Sequence, residues 1–298
     1  MLTRTPRQLP SHALYDRLGS SLFEAICHLP WYRISRVERR LLAAHTAAIN
    51  GIVGPISAAA ELGPGSGEKL ATLLSARRMH NIRVFLIDVS AEALQQATRT
   101  LSTVNGLEIS TQQATYEEAL ADLDLSACAG GALLAFLGSN IGNFDREAAD
   151  ALLRAMRGVF QRRGYLLLGT DLVKPEPELR LAYDDPLGVT AAFNRNLLVR
   201  INRELGGNFD LGSFVHRATW NALESRMEMH LVSTRRQRVR VRSCDLDITF
   251  EDGEPIWTES SYKYRADELE PMLAQAGFRM TGQWVDEGFA LTLASTGS

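Results

Sequence analysis

Ala60-Glu61-Leu62-Gly63-Pro64-Gly65-Ser66-Gly67-Glu68-Lys69 decides how this chain is read. An apolar-leaning lead, Ile56-Ser57-Ala58-Ala59-Ala60, runs into a carboxylate and then into glycine at every second position. Lys69-Leu70-Ala71-Thr72-Leu73-Leu74 follows as the start of a helix. Strand, tight turn and helix in that order make the nucleoside- or phosphate-cradling element of doubly wound α/β folds. Glycine is required because the backbone must take φ values that side chains disfavour, and because a ligand must reach bare backbone. The plainer alternative is a glycine turn in an α/β protein that binds nothing.

The spacing narrows the ligand. A dinucleotide fingerprint reads G-x-G-x-x-G and seats a pyrophosphate on the helix N-terminus. Here Glu61 precedes Gly63, Gly65 and Gly67 in the order acid-x-G-x-G-x-G. That carboxylate would repel a pyrophosphate but suits an ammonium or sulfonium. One strand later, Val84-Phe85-Leu86-Ile87-Asp88 carries an aspartate near its end, placed to accept from ribose hydroxyls. Together these features resemble the cofactor loop of class I S-adenosylmethionine-dependent methyltransferases.

Working outward, strand-like runs at Val84–Ile87, Gly131–Leu137 and Tyr165–Thr170 alternate with helical runs at Ala91–Leu101 and Arg146–Gln161. The alternation predicts a doubly wound, Rossmann-like α/β sheet. Phe289–Ala294 supplies a last strand after a helix over Ala266–Ala276. Upstream, Leu18 to Leu29 has helical spacing, and Ser35 with Glu38 reads as a capping box opening the next helix. Residues 176–263 break the pattern with a helix over Val189 to Glu204, strands at His230–Thr234 and Arg238–Arg242, and an Asp252-Gly253 hairpin signal that Pro255 weakens. Two domains are expected: 37–175 plus 264–298 binding the cofactor, and an inserted α+β domain of 1–36 plus 176–263 binding the substrate.

The 298 residues carry a formal net charge of −3, with both signs interspersed, so no nucleic-acid or membrane footprint stands out. Arg235 to Arg242 alternates as a half-buried strand with a solvated arginine face and has no interleaved aromatics for base stacking. Cys27, Cys128 and Cys244 are scattered and odd in number, which points to a reducing compartment. No apolar run can span a bilayer and the first residues lack a signal-peptide core, so a cytoplasmic protein is expected. The histidines and cysteines show no zinc spacing, and no metal is expected. No obligate protein partner is evident.

Three stretches could handle a substrate. Leu137-Gly138-Ser139-Asn140-Ile141-Gly142-Asn143-Phe144 follows an apolar strand, where ligands bind in open α/β sheets. Asn143 offers donor and acceptor to the amine and carboxylate of an amino acid, or else caps a helix. Tyr183-Asp184-Asp185 leads into a helix; its tyrosine can position a carboxylate, while the acids suit a helix N-terminus. In Trp257-Thr258-Glu259-Ser260-Ser261, period-two alternation puts Glu259 and Ser261 on one face, where carboxylate and hydroxyl could read both nitrogens of an imidazole. Taken alone, that pair reads more simply as solvent-exposed.

In order, these pieces resemble the L-histidine Nα-methyltransferases of ergothioneine biosynthesis. Further markers are Tyr15-Asp16, Gly19-Ser20, Leu22-Phe23, Leu29-Pro30, Thr170 to Lys174, Gly188 to Ala191, Phe193-Asn194 and Asn202 to Leu205. The resemblance implies trimethylation of histidine to hercynine with S-adenosyl-L-methionine, giving S-adenosyl-L-homocysteine. It assigns Tyr15, Gly63, Lys69 and Asp88 to the cofactor. Tyr32, Asn143, Tyr183 and the Gly138 carbonyl go to the amino acid's polar end, and Glu259, Ser261 and Met229 to the imidazole. The chain departs from the family at Arg33, where a second tyrosine is usual, at Pro64, and at Gln113-Ala114-Thr115-Tyr116, where an aspartate usually meets the adenine.

Methyl transfer from a sulfonium to an amine needs proximity and a neutral nucleophile more than a strong base. Asn143 would hold the amine with its lone pair free, and Tyr15 or water would relay protons. Two other readings stand beside this one: the same chemistry on a different amino acid or aromatic amine, and a non-catalytic binding module of the same fold.

Overall fold

In a computed structural model describing residues 1–76, 81–125, 130–160 and 163–297, Ile56–Leu62 is a buried strand. Alternate small residues, Ala58 and Ala60, let neighbouring layers approach it closely. It is β1 of a seven-stranded sheet, with β2 Ile82–Asp88, β3 Leu107–Gln113, β4 Gly131–Phe136, β5 Gly164–Asp171, β6 Arg279–Asp286 and β7 Phe289–Ser295. The spatial order is β6-β7-β5-β4-β1-β2-β3. Neighbours from β3 to β5 run parallel; β7 pairs antiparallel with β5 and β6. Central strands read as unbroken apolar runs because they are buried on both faces. The strand order reverses between β1 and β4, and the glycine bend and the 137–144 segment both follow the carboxyl ends there.

The chain divides into two units, one of residues 1–33 and 174–262, the other of 34–173 and 263–298. The sheet belongs to the second. Its helix Ile34–Val53 packs on β5, β6 and β7, and Ala91–Leu101 packs on β2 and β3. The capping box expected at Ser35 is absent: the helix already begins at Ile34, and the Glu38 carboxylate is buried and bonded elsewhere. Strands β3 and β6 escaped the sequence reading because as sheet edges they are only half-buried and lack an apolar run. The helix from Arg146 closes at Gly158; Gln161 and Cys128 lie outside the described residues.

In the first unit, Phe214–Asn221, Arg226–Ser233 and Pro255–Tyr262 form a sheet completed by Arg7–Gln8. Phe209, Phe214, Phe250, Leu231, Val239 and Ile256 share its core with Leu198 of the helix Val189–Leu205. The hairpin expected around Asp252-Gly253 does not form. The chain does turn there, with Gly253 at φ +80°, but Leu246–Phe250 pairs with Gln237–Val241 while Pro255–Tyr262 joins the other sheet. Pro255 is the first residue of its strand, where a missing N–H is tolerated. The arginine strand is as read: Val239 and Val241 are buried, and Arg238 pairs with Asp247 on the facing strand.

Candidate active site

The bend after β1 is built from backbone. Gly63, Gly65 and Gly67 have φ of +70°, +54° and +76°, the left-handed region that only glycine enters freely. A Cβ on Gly63 would lie 2.5 Å from both Asn140 Nδ2 and Tyr116 Oη. Gly67 precedes the helix Glu68–Ser75, which places Lys69 in its first turn.

Glu61 ends the approach. It is fully buried, and neither carboxylate oxygen has a hydrogen-bond partner among the described residues. Burial pushes its pKa up to about 8, with Lys69 pulling it down and Glu38 and Asp88 raising it further. An orphaned buried carboxylate under bare glycine backbone fits a cationic adenosyl group. Asp88, at the end of β2, is pushed up to about 6 by burial, although the amides of Ser90, Val89 and Gly65 pull the other way. Its Oδ1 accepts from Ser90 N at 2.9 Å.

Within Gln113-Ala114-Thr115-Tyr116, Thr115 caps the helix Tyr116–Asp122 and forms a capping box with Glu118. The Tyr116 ring meets Phe136 edge-on at 5.3 Å, and its hydroxyl faces the Gly63 bend. Burial raises the Tyr116 pKa, so this hydroxyl stays protonated. Sequence reasoning missed it; a tyrosine one residue after a helix cap carries no distinctive signal.

Gly138 and Ser139 follow β4 with φ of +75° and +60°. Asp171 N donates to Ser139 Oγ at 2.9 Å, and Asp171 itself pairs with the buried Lys263 at 2.9 Å. Asn143 closes the short 3₁₀ turn Asn140–Asn143. It is not a helix cap: Asp145 caps the next helix by accepting from Ala148 N at 2.8 Å.

The first unit gathers the remaining residues. Tyr15 packs on Phe23 and Phe193 at 5.5 and 5.6 Å, Phe23 on Tyr32 at 6.1 Å, and Tyr32 on Tyr183 at 6.5 Å. Tyr183 Oη donates to Ser261 Oγ at 2.8 Å. Glu259 and Ser261 are buried rather than solvent-exposed, pairing with Met229 and Met227 of the neighbouring strand. A register shift between Trp257 and Glu259 sets their phase, and a local irregularity of this kind cannot be read from alternation.

The scaffold beneath is specific. Asp16 accepts from Gly19 N at 2.8 Å and Asn196 Nδ2 at 2.6 Å and pairs with Arg203 at 2.8 Å, tying the helix after Tyr15 to Val189–Leu205. A Cβ on Gly19 would overlap the Leu14 carbonyl. Asp185 accepts from Val189 N and Thr190 N in the first turn of Val189–Leu205, so the second acid after Tyr183 serves the helix. His216 Nε2 donates to the Tyr183 carbonyl at 2.8 Å while Nδ1 accepts from Asn194 at 2.9 Å, which fixes a neutral ring; burial lowers its pKa accordingly. Arg33 pairs with Glu178 at 3.6 Å. No cluster able to hold a metal occurs among the described residues, and no described helix is long and apolar enough to cross a membrane.

Known proteins bear on this arrangement. Histidine N-alpha-methyltransferase of Mycobacterium tuberculosis is 42% identical over 99% of this chain and 92% of that protein. Its namesake in Mycolicibacterium smegmatis is 41% identical over 98% and 92%. Ergothioneine biosynthesis protein 1 of Schizosaccharomyces pombe is 26% identical over 93% of this chain and 37% of its own length. The family described as histidine-specific methyltransferase, SAM-dependent, matches residues 1–296, and the chain belongs to it.

Proposed function

We propose that this S-adenosylmethionine-dependent N-methyltransferase acts on the α-amino nitrogen of free L-histidine and carries it to the trimethylated product. The observation that carries the substrate assignment is a buried carboxylate and a buried hydroxyl two residues apart, Glu259 and Ser261, beside Met229 in a histidine-specific family. An imidazole presents two nitrogens, and such a pair can accept from one and serve the other. Tyr32 and Tyr183 supply uncharged hydroxyls for the carboxylate, and Asn143 and the Gly138 carbonyl accept from the amine.

Glu61, Gly63, Gly65, Lys69 and Asp88 hold the cofactor in this reading, together with Tyr15. S-adenosylmethionine supplies the methyl group as an electrophilic carbon on a sulfonium. The chain's own work is orientation and charge. Glu61 balances positive charge where water is excluded, and Asp88 accepts from ribose hydroxyls. The α-amino group of a free amino acid is protonated at neutral pH and attacks only when neutral. In the first two transfers Asn143 Oδ1 accepts an amine N–H and leaves the lone pair unengaged, while the Tyr15 hydroxyl passes the released protons toward water; the third acts on a tertiary amine with no N–H left to hold.

Incubation with S-adenosylmethionine and each amino acid in turn, read by mass, tests the assignment. Histidine should gain three methyl groups and the others none. Faster turnover of another amino acid, or unchanged preference for histidine in Glu259→Ala, would overturn it.

A further inference from the structure

Glu38 lies outside every assignment above. It sits in the second turn of Ile34–Val53 and is fully buried, a position where an unpaired carboxylate is strongly disfavoured. Helix packing alone would place a leucine there. Instead, Oε2 accepts from Lys69 Nζ at 3.0 Å and Oε1 accepts from Gly138 N at 2.7 Å. The sheet is cut away to admit the carboxylate: a Cβ on Gly169 of β5 would overlap Oε1. One side chain thus bolts the helix after the glycine bend to the turn after β4.

The neighbouring charges give that bolt a second effect. Lys69 is close enough to act on Glu61 electrostatically, yet both Glu61 oxygens stay unbonded while the ammonium donates to Glu38. Glu38 thus competes with Glu61 for the Lys69 ammonium, and Glu61 is the carboxylate that suits a cation. We propose that Glu38 is a positioning residue for methyl transfer, holding Lys69 off Glu61 and fixing the Gly138 turn from which Asn143 follows. The inference rests on the cofactor role given to Glu61 and Lys69 above.

The two oxygens separate the two effects. Glu38→Gln keeps an acceptor for Gly138 N but loses the negative charge facing Lys69; Glu38→Leu loses both. Gly169→Ala displaces the carboxylate without changing it. Binding of S-adenosylmethionine, measured calorimetrically without histidine in two buffers at pH 7, reads the link independently of turnover. The wild type should release a proton as Glu61 ionises against the cation. Glu38→Gln and Gly169→Ala should bind on the order of tenfold more weakly and release little or none, because Glu61 is already ionised against Lys69. At saturating cofactor, Glu38→Gln should keep its kcat within about twofold, whereas Glu38→Leu should lose it, since the Gly138 turn is then unheld.

Wild-type affinity and wild-type proton release in folded Glu38→Gln would overturn the proposal. Should that variant fail to fold, the same result in Gly169→Ala would do so. Wild-type turnover of histidine is the control in the series. Its absence would sink the functional reading while leaving the binding comparison standing.

Discussion

The two units present their proposed binding groups in opposite ways. In the second, the glycine bend offers bare backbone and leaves the Glu61 carboxylate buried and unbonded. In the first, the corresponding side chains are engaged with one another: Tyr183 bonds Ser261, and Tyr15 meets Phe23 and Phe193, and Phe23 meets Tyr32, edge to face. A ligand of the second unit relieves an existing electrostatic cost, so its binding should depend on pH and on backbone shape. A ligand of the first unit must replace contacts already made, so its binding should depend on individual side chains and lose only moderately with each.

The sharpest way to break this contrast is Gly63→Val. A β-branched residue at φ +70° costs at least ~1–2 kcal/mol, and its Cβ meets Asn140 and Tyr116, adding about 1–3 kcal/mol. S-adenosylhomocysteine affinity, measured by calorimetry, should fall on the order of 100-fold or more. Retained affinity would mean that the ligand does not use this bend. Next in size is Glu259→Ala, which removes the carboxylate proposed to bond the imidazole, a contact worth ~1.5–3 kcal/mol in that reading. Its kcat/KM for histidine should fall roughly 10- to 100-fold while S-adenosylhomocysteine affinity stays at the wild-type value.

Proton linkage sharpens the comparison further. Burial raises the Glu61 pKa from an ordinary carboxylate value to about 8 in the folded chain. The folded form therefore keeps a proton that the unfolded chain gives up at lower pH, and stability from this group is lost as pH rises toward 8. Asp88, raised to about 6, has the same sign but is largely titrated by then; the lowered His216 and His230 act below their ordinary range. Between pH 6.5 and 8 the ligand-free protein should lose about 2 kcal/mol through Glu61, seen as a falling melting temperature. Glu61→Gln should flatten that slope and weaken S-adenosylmethionine binding about tenfold. A flat wild-type profile would show that Glu61 is ionised throughout.

How legible the molecule was follows the same divide. The central sheet could be read because β1, β4 and β5 are buried on both faces and announce themselves as apolar runs, and because left-handed turns demand glycine. The edges β3 and β6 could not, being half-solvated. Glu38 was misread as the capping-box partner of Ser35 because a serine three residues upstream satisfies the local pattern; its partners, Lys69 and Gly138, lie 31 and 100 residues away. In the first unit the fold around Asp252-Gly253 was misjudged for a related reason, since a turn signal fixes where the chain reverses and not which strand it meets next. The burial of Glu259 and Ser261 depended on a register shift that alternation does not encode.

The smallest effect tests the first unit's claim to be self-engaged. Tyr183→Phe removes the hydroxyl that donates to Ser261 Oγ at 2.8 Å but leaves the ring against Tyr32. A neutral hydrogen bond of this kind is worth about 1 kcal/mol net, so each of Tyr183→Phe and Ser261→Ala should lower stability by roughly that amount. Because the two groups bond each other, the double variant should cost less than the sum, with a coupling of ~0.5–1 kcal/mol in a denaturant cycle. The same exchange should raise the KM for histidine about threefold to fivefold, because the hydroxyl pair serves the ligand and the fold at once. Additive stability costs with a shifted KM would show that the hydroxyls act on the ligand alone. Coupled stability costs with an unmoved KM would show that this pair belongs to the core, and the amino acid's recognition would then fall to Glu259, Met229 and Tyr32.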